Sequence, residues 1–158
     1  MIKTYTVVKL QSGGKQKLVA ILNALFNKRE EPYPFLDQPI VFDTHTITIG
    51  EAVFNLSQLG QLTLEMGSYD GMVLGSRKKM ELNGTGNYLS FVSGEYEHCY
   101  EFYIDSAPQF NNFKALFESW YINKVAFSEY DRGRTRTFLL EPYDYLAVLA
   151  FEKKHHLL

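Results

Sequence analysis

The chain has 158 residues, 46% of them hydrophobic and 22% charged, with a formal charge of -2 and an isoelectric point near 6.1. That balance suits one globular domain spanning residues 1–158, sets aside the disordered and coiled-coil classes, and argues against a protein devoted to coating nucleic acid. The single cysteine, Cys99, excludes an intramolecular disulfide and a cysteine-based zinc site.

Eleven Tyr, twelve Phe and one Trp give the chain a heavy aromatic load, and tyrosine hydroxyls need water or a partner. No apolar run approaches the ~18 to 20 residues of a membrane helix, and the start lacks a signal-peptide pattern. A soluble, cytoplasmic protein with no membrane association is the expectation.

Residues 2–10 alternate Ile2, Thr4, Thr6, Val8 and Leu10 against Lys3, Tyr5, Val7 and Lys9, which predicts a first strand. Ser12-Gly13-Gly14 interrupts it. Leu18, Ile21, Leu22, Leu25 and Phe26 then recur at helical spacing, predicting a helix over about 15–28. Residues 30–39 carry Pro32, Pro34 and Pro39 and read as a loop packing aromatics. Strand-like runs follow at 40–42 and 44–49, while 51–66 fits a helix in its first half and a strand in its second.

From Gly67 to Gly94, glycine turns separate short alternating runs in the manner of an antiparallel meander. Residues 94–104 give the cleanest alternation. Tyr96, His98, Tyr100, Phe102 and Ile104 share one face, and Glu95, Glu97, Cys99, Glu101 and Tyr103 the other. Phe113, Leu116, Phe117 and Trp120 or Tyr121 predict a second helix over 110–121.

Residues 124–140 read as a hairpin. A loop at Arg132-Gly133 would set Asp131 opposite Arg134, Glu129 opposite Arg136, Phe127 opposite Phe138 and Val125 opposite Leu140. Arginine suits the positive φ of such a turn poorly, which leaves a three-residue loop as the alternative. Residues 143–153 favour a strand over a short helix, and the final Lys-Lys-His-His-Leu-Leu reads as a frayed tail. The expected fold class is α+β: an antiparallel sheet or partly closed β-barrel with two packed helices, at about 15–28 and 110–121.

Several residues carry candidate chemistry. Ser12, Gly13, Gly14 and Lys15 precede a predicted helix, where free backbone N–H groups can hold a phosphate, although the spacing is that of neither a P-loop nor a dinucleotide fingerprint. His45-Thr46-Ile47-Thr48 resembles one of the two His-x-Thr elements of the 2H phosphoesterase family, in which the His acts as acid or base and the Thr holds a phosphate oxygen. Here Ile47 occupies the matching position, and His98 is followed by Cys99 and Tyr100 instead of supplying a second element. A histidine on a Thr-rich exposed strand face explains the string without catalysis.

His98 and Cys99 are adjacent in a strand and point to opposite faces, so they cannot pair as base and nucleophile; Cys99 reads as a buried structural cysteine. Glu95, Glu97 and Glu101 form an acidic stripe for which Arg77-Lys78-Lys79 is a plausible basic neighbour. Arg77–Lys79 and Arg132, Arg134 and Arg136, with Tyr130, Tyr143 and Tyr145 near the second cluster, could contact nucleic acid. No metal site or cofactor is expected. The leading functional expectation is a non-enzymatic protein-interaction or self-assembly module, associating through the hairpin or the N-terminal strand as sheet edges with a protein partner or a second copy. Second comes a phosphate-ligand or nucleotide-binding protein using His45, Thr46 and the Ser12–Lys15 turn, and third a nucleic-acid-associated protein.

Overall fold

A computed structural model of the chain describes residues 1–8 and 34–158. The predicted helix at 15–28 and the Ser12-Gly13-Gly14-Lys15 turn lie outside the described residues. The strands are β1 (Ile2–Val7), β2 (Leu36–Phe42), β3 (Thr46–Ile49), β4 (Ala52–Asn55), β5 (Gly60–Met66), β6 (Asp70–Leu74), β7 (Met80–Asn83), β8 (Asn87–Ser93), β9 (Tyr96–Phe102), β10 (Phe127–Asp131), β11 (Thr137–Phe138) and β12 (Glu141–Pro142). The helices are α1 (Ala107–Ile122) and α2 (Tyr145–Lys154), and a 3-10 turn covers Leu56–Gln58.

Eight strands form one sheet in the order β10-β5-β8-β9-β1-β2-β3-β4. Its pairings are antiparallel except for β10 on β5, which is parallel. The molecule is thus α+β, and the sheet does not close into a barrel. It curls strongly nonetheless, because Phe54 on the far edge strand β4 meets Phe91 of β8 and His98 of β9 with ring centroids 4.9 and 5.2 Å apart. The smaller β6–β7 ribbon stands apart from the main sheet.

Helix α1 fills the concave side. Ser106 caps it, its hydroxyl oxygen accepting from the Gln109 N–H at 3.3 Å, and Phe113, Leu116, Phe117 and Trp120 form its buried face. Phe113 packs on Phe42 and Phe102 at centroid distances of 5.2 and 5.8 Å, and the Trp120 indole N–H donates to the Asp43 carbonyl at 2.9 Å. Edge-on and tilted ring pairs of this kind contribute roughly 0.5–1.5 kcal/mol each beyond their buried area.

The alternation of residues 94–104 is realised in β9, with a gradient along it: Phe102 and Ile104 are fully buried, His98 and Tyr100 half-buried, and Tyr96 exposed. Four expectations are corrected. Strand β2 reaches back to Leu36 through Pro39, inside the stretch expected to be a loop. The ambiguous segment splits into β4, the 3-10 turn and β5, with the Asn55 side chain accepting from the Ser57 N–H as cap.

The third correction is α2, which replaces the expected strand at 143–153. A continuous apolar run gives no reliable period, and here the Asp144 carboxylate caps the Leu146 N–H at 2.9 Å while Lys153 and Lys154 sit in the last turn. The fourth is the tail. His156 takes a φ of 54° and the Leu157 N–H returns to the Glu152 carbonyl at 2.9 Å, so the chain folds back instead of fraying.

Candidate functional site

The hairpin after α1 adopts the three-residue loop, so its register sits one residue away from the two-residue arrangement. The Asp131 N–H donates to the Thr135 carbonyl, Tyr130 bridges Arg136, and Arg134 takes the left-handed φ of 59°. The Asp131 carboxylate accepts from the Gly133 and Thr135 N–H groups at 2.8 and 2.9 Å, which offsets the conformational cost at Arg134. The expected pairs Asp131–Arg134 and Glu129–Arg136 therefore do not form. Arg134 instead lies 3.6 Å from Glu65 on the neighbouring strand β5.

Glu129, released from Arg136, turns inward and is only 1% exposed. One carboxylate oxygen accepts from the Tyr121 hydroxyl at 2.9 Å and the Leu139 N–H at 2.6 Å; the other accepts from the Thr137 hydroxyl at 3.0 Å and the Leu140 N–H at 2.9 Å. Leu139 and Leu140 link β11 to β12 with φ of 52° and 67°, the geometry that glycine or asparagine usually supplies in a two-residue hairpin. Left-handed leucine costs roughly 1–2 kcal/mol per residue. Aiming two consecutive N–H groups at one buried carboxylate makes a small anion nest that offsets it.

Burial, and then the charge and hydrogen bond of Glu129, push the Tyr121 phenol well above its ordinary value. The folded protein keeps that proton at pH values where the unfolded chain has lost it, so stability is intact below about pH 10 and falls above it. Urea midpoints measured from about pH 8 to 11 should decline, and the decline should be shallower in Tyr121→Phe. Equal slopes would contradict the assignment.

This turn and α1 frame a groove of about 480 Å³ whose other wall is α2. Phe151 anchors the helix, with its ring 5.5 Å from Phe138 and 6.1 Å from Tyr121. Val148 and Leu149 line the groove, and Leu157 closes one end because of the folded-back tail. Arg136 and Tyr143 stand at the rim, the guanidinium 4.6 Å from the ring centroid. The outer side of α2 carries Leu146, Ala147 and Ala150, all exposed, Leu146 at 71%.

The structure brings together three of the five residues predicted for interaction: Arg136, Tyr143 and Tyr145 all line this groove. Arg134 opens onto a different, polar cleft with Arg132, Glu65, Tyr88 and Glu101. There burial, then Glu101 and Glu65, raise the Tyr88 phenol. Tyr130 is half-buried in β10. The N-terminal strand, expected as a free edge, pairs on both sides with β2 and β9; among the described residues the outer strands are β10, from the hairpin, and β4, with exposed Val53.

His45 sits on a bend before β3, not within the strand, and Thr46 opens β3 opposite Asn55. His45 lines a cleft of about 340 Å³ with Asn55, Ser57 and Lys124. Lys124 arrives there through the end of α1, where the Lys124 and Val125 N–H groups return to the Tyr121 and Trp120 carbonyls and Lys124 takes a φ of 56°. Cys99 is exposed, contrary to expectation, and lines a separate depression with His98. Arg77, Lys78 and Lys79 lie in the turn between β6 and β7, while Glu101 accepts from the Gly86 N–H at 2.9 Å. The strands beside β9 are β8 and β1, so the basic run is not the cross-strand counterpart of the acidic stripe.

Among the described residues no group of three or more His, Cys, Asp or Glu side chains is placed to hold a metal ion, and no helix is long and apolar enough to cross a membrane. No family model, curated protein or solved structure matches the chain.

Sequence reasoning missed Glu129 as the organiser of this region and α2 as its wall. The continuous apolar run from Tyr145 to Phe151, preceded by Asp144 and followed by two lysines, was the available signal for the helix. Nothing local marks Leu139-Leu140 as a left-handed pair.

Proposed function

We propose that this protein is a non-catalytic self-assembly module whose contact face is the outer side of α2. The observation that carries this reading is a helix with seven consecutive apolar residues from Tyr145 to Phe151, of which only Phe151 is buried. Leu146, with Ala150 one turn later, supplies a stripe that is large at one point and small at the next, a surface on which a second helix packs closely. Burying a side chain such as Leu146 contributes about 1.5–3 kcal/mol.

Light scattering on a sizing column across a concentration series should show a mass above that of one chain, and Leu146→Glu should return it to one chain with the parental circular dichroism spectrum and a urea midpoint that no longer depends on protein concentration. A single-chain mass at every concentration would remove the reading. A second reading, an anionic phosphate ligand in the His45 cleft, is supported by Lys124 lining the same cleft as His45. Nucleotide absorbance travelling with the protein peak would favour it.

A further inference from the structure

The inner side of α2 points to a different partner from the outer one. We propose that the groove beneath α2 is a binding site for a small amphiphilic carboxylate, an acid carrying an aliphatic chain or an aryl group, with Arg136 as the carboxylate receptor. The groove's volume of about 480 Å³ falls within the range of small-molecule sites, and its floor is apolar, built from Phe138, Val148, Leu149 and Phe151.

Arg136 is, among the described residues, the one arginine or lysine in the lining. Among the described residues it forms no ion pair. Glu129, its expected partner, is saturated by four other donors. Glu141 lies 3.6 Å from Lys114, and Glu118 lies 3.5 Å from His155. Glu152, also in the lining, makes no ion pair with it. The guanidinium carbon lies 4.6 Å from the Tyr143 ring centroid, a cation–π contact that uses none of its N–H donors. A fork held at the mouth of an apolar groove matches a carboxylate head with an apolar tail, because the head gains paired charge-assisted hydrogen bonds while the tail leaves water.

The test is calorimetric titration of the full chain with three probes below micelle-forming concentration: decanoate, decanol and acetate. Saturable binding of decanoate is expected, with decanol at least about tenfold weaker and acetate undetectable. Arg136→Gln, an exposed substitution, should weaken decanoate by about tenfold or more and leave decanol unchanged. Val148→Phe, which narrows the floor, should weaken both while circular dichroism confirms the fold. No decanoate binding, equal affinity for decanoate and decanol, or an Arg136→Gln variant that binds decanoate like the parent would each overturn the proposal. Because Leu146→Glu alters only the outer side of α2, it should bind decanoate normally, so failure of self-assembly and failure of this site are read separately.

Discussion

Glu129→Ala should lower the free energy of unfolding by about 4 kcal/mol, a loss far outside the range of ordinary surface substitutions. The substitution strands four donors that share one buried carboxylate, two of them backbone N–H groups in left-handed leucines. Each buried donor left without an acceptor costs roughly 1–3 kcal/mol, and the relief of no longer burying a charge keeps the total below their sum. Glu129→Gln retains the shape but turns an NH2 group toward two donors, and should still cost about 2 kcal/mol. Urea unfolding measures both. A loss below about 1 kcal/mol in the alanine variant would mean that water or a neighbouring group replaces the carboxylate.

The second large effect belongs to Asn87, fully buried where three connections meet. Its side-chain oxygen accepts from the Gly67 and Ser68 N–H groups at 2.7 and 3.0 Å, and its NH2 donates to the Ser68, Gly84 and Phe102 carbonyls at 3.0, 2.9 and 3.3 Å. Asn87→Ala should cost about 3 kcal/mol, since it strips the Gly67 and Ser68 N–H groups of their acceptor in a dry region, while the Gly84 carbonyl keeps the Ile104 N–H at 2.9 Å. Asn87→Asp should be no milder, because it sets a carboxylate oxygen against carbonyl oxygens.

Gly84→Ala supplies an independent check on the same clasp. Gly84 has a φ of +80°, and a Cβ there would stand 2.2 Å from the Ile104 carbonyl oxygen and 2.9 Å from the Asp70 nitrogen. All three variants should lose stability together, with thermal midpoints well below that of the parent. An Asn87→Ala protein with a parental midpoint would show that the clasp is replaceable.

The parts of the fold that were legible in the sequence are those whose period is unambiguous. Strand β9 alternates strictly over seven residues, and α1 keeps its apolar residues on one face, so both were readable without tertiary information. The α2 run was not, because seven apolar residues in succession satisfy either period and the deciding cap, Asp144, reads equally as a turn residue. The hairpin was half-legible. Its position was right, but one residue of loop length moved Glu129 from an exposed pairing with Arg136 to the interior and freed Arg136 for the groove. That shift follows from Asp131 bonding two loop amides, a cooperative choice that residue-by-residue propensity does not contain.

The sheet order also has a consequence for how the molecule assembles and opens. Strands β4, β3, β2 and β1 form one half, and β9, β8, β5 and β10 the other. The seam between them is short: Thr6 is registered on Phe102, the Tyr103 N–H donates to the Tyr5 carbonyl, and the Thr4 hydroxyl donates to the Tyr103 carbonyl. The rings of Phe42, Phe102 and Phe113, the last contributed by α1, pack across it, and Phe54 of β4 reaches Phe91 and His98 from the far side. The halves are therefore natural cooperative units, and α1 is the bolt between them: a chain emerging in order completes the first half before the second exists, and joins them only once residues 107–122 have coiled into place. Amide protons along the seam should therefore exchange through a partial opening that leaves both ladders intact, and so report the grip of α1 and not the global unfolding of either half.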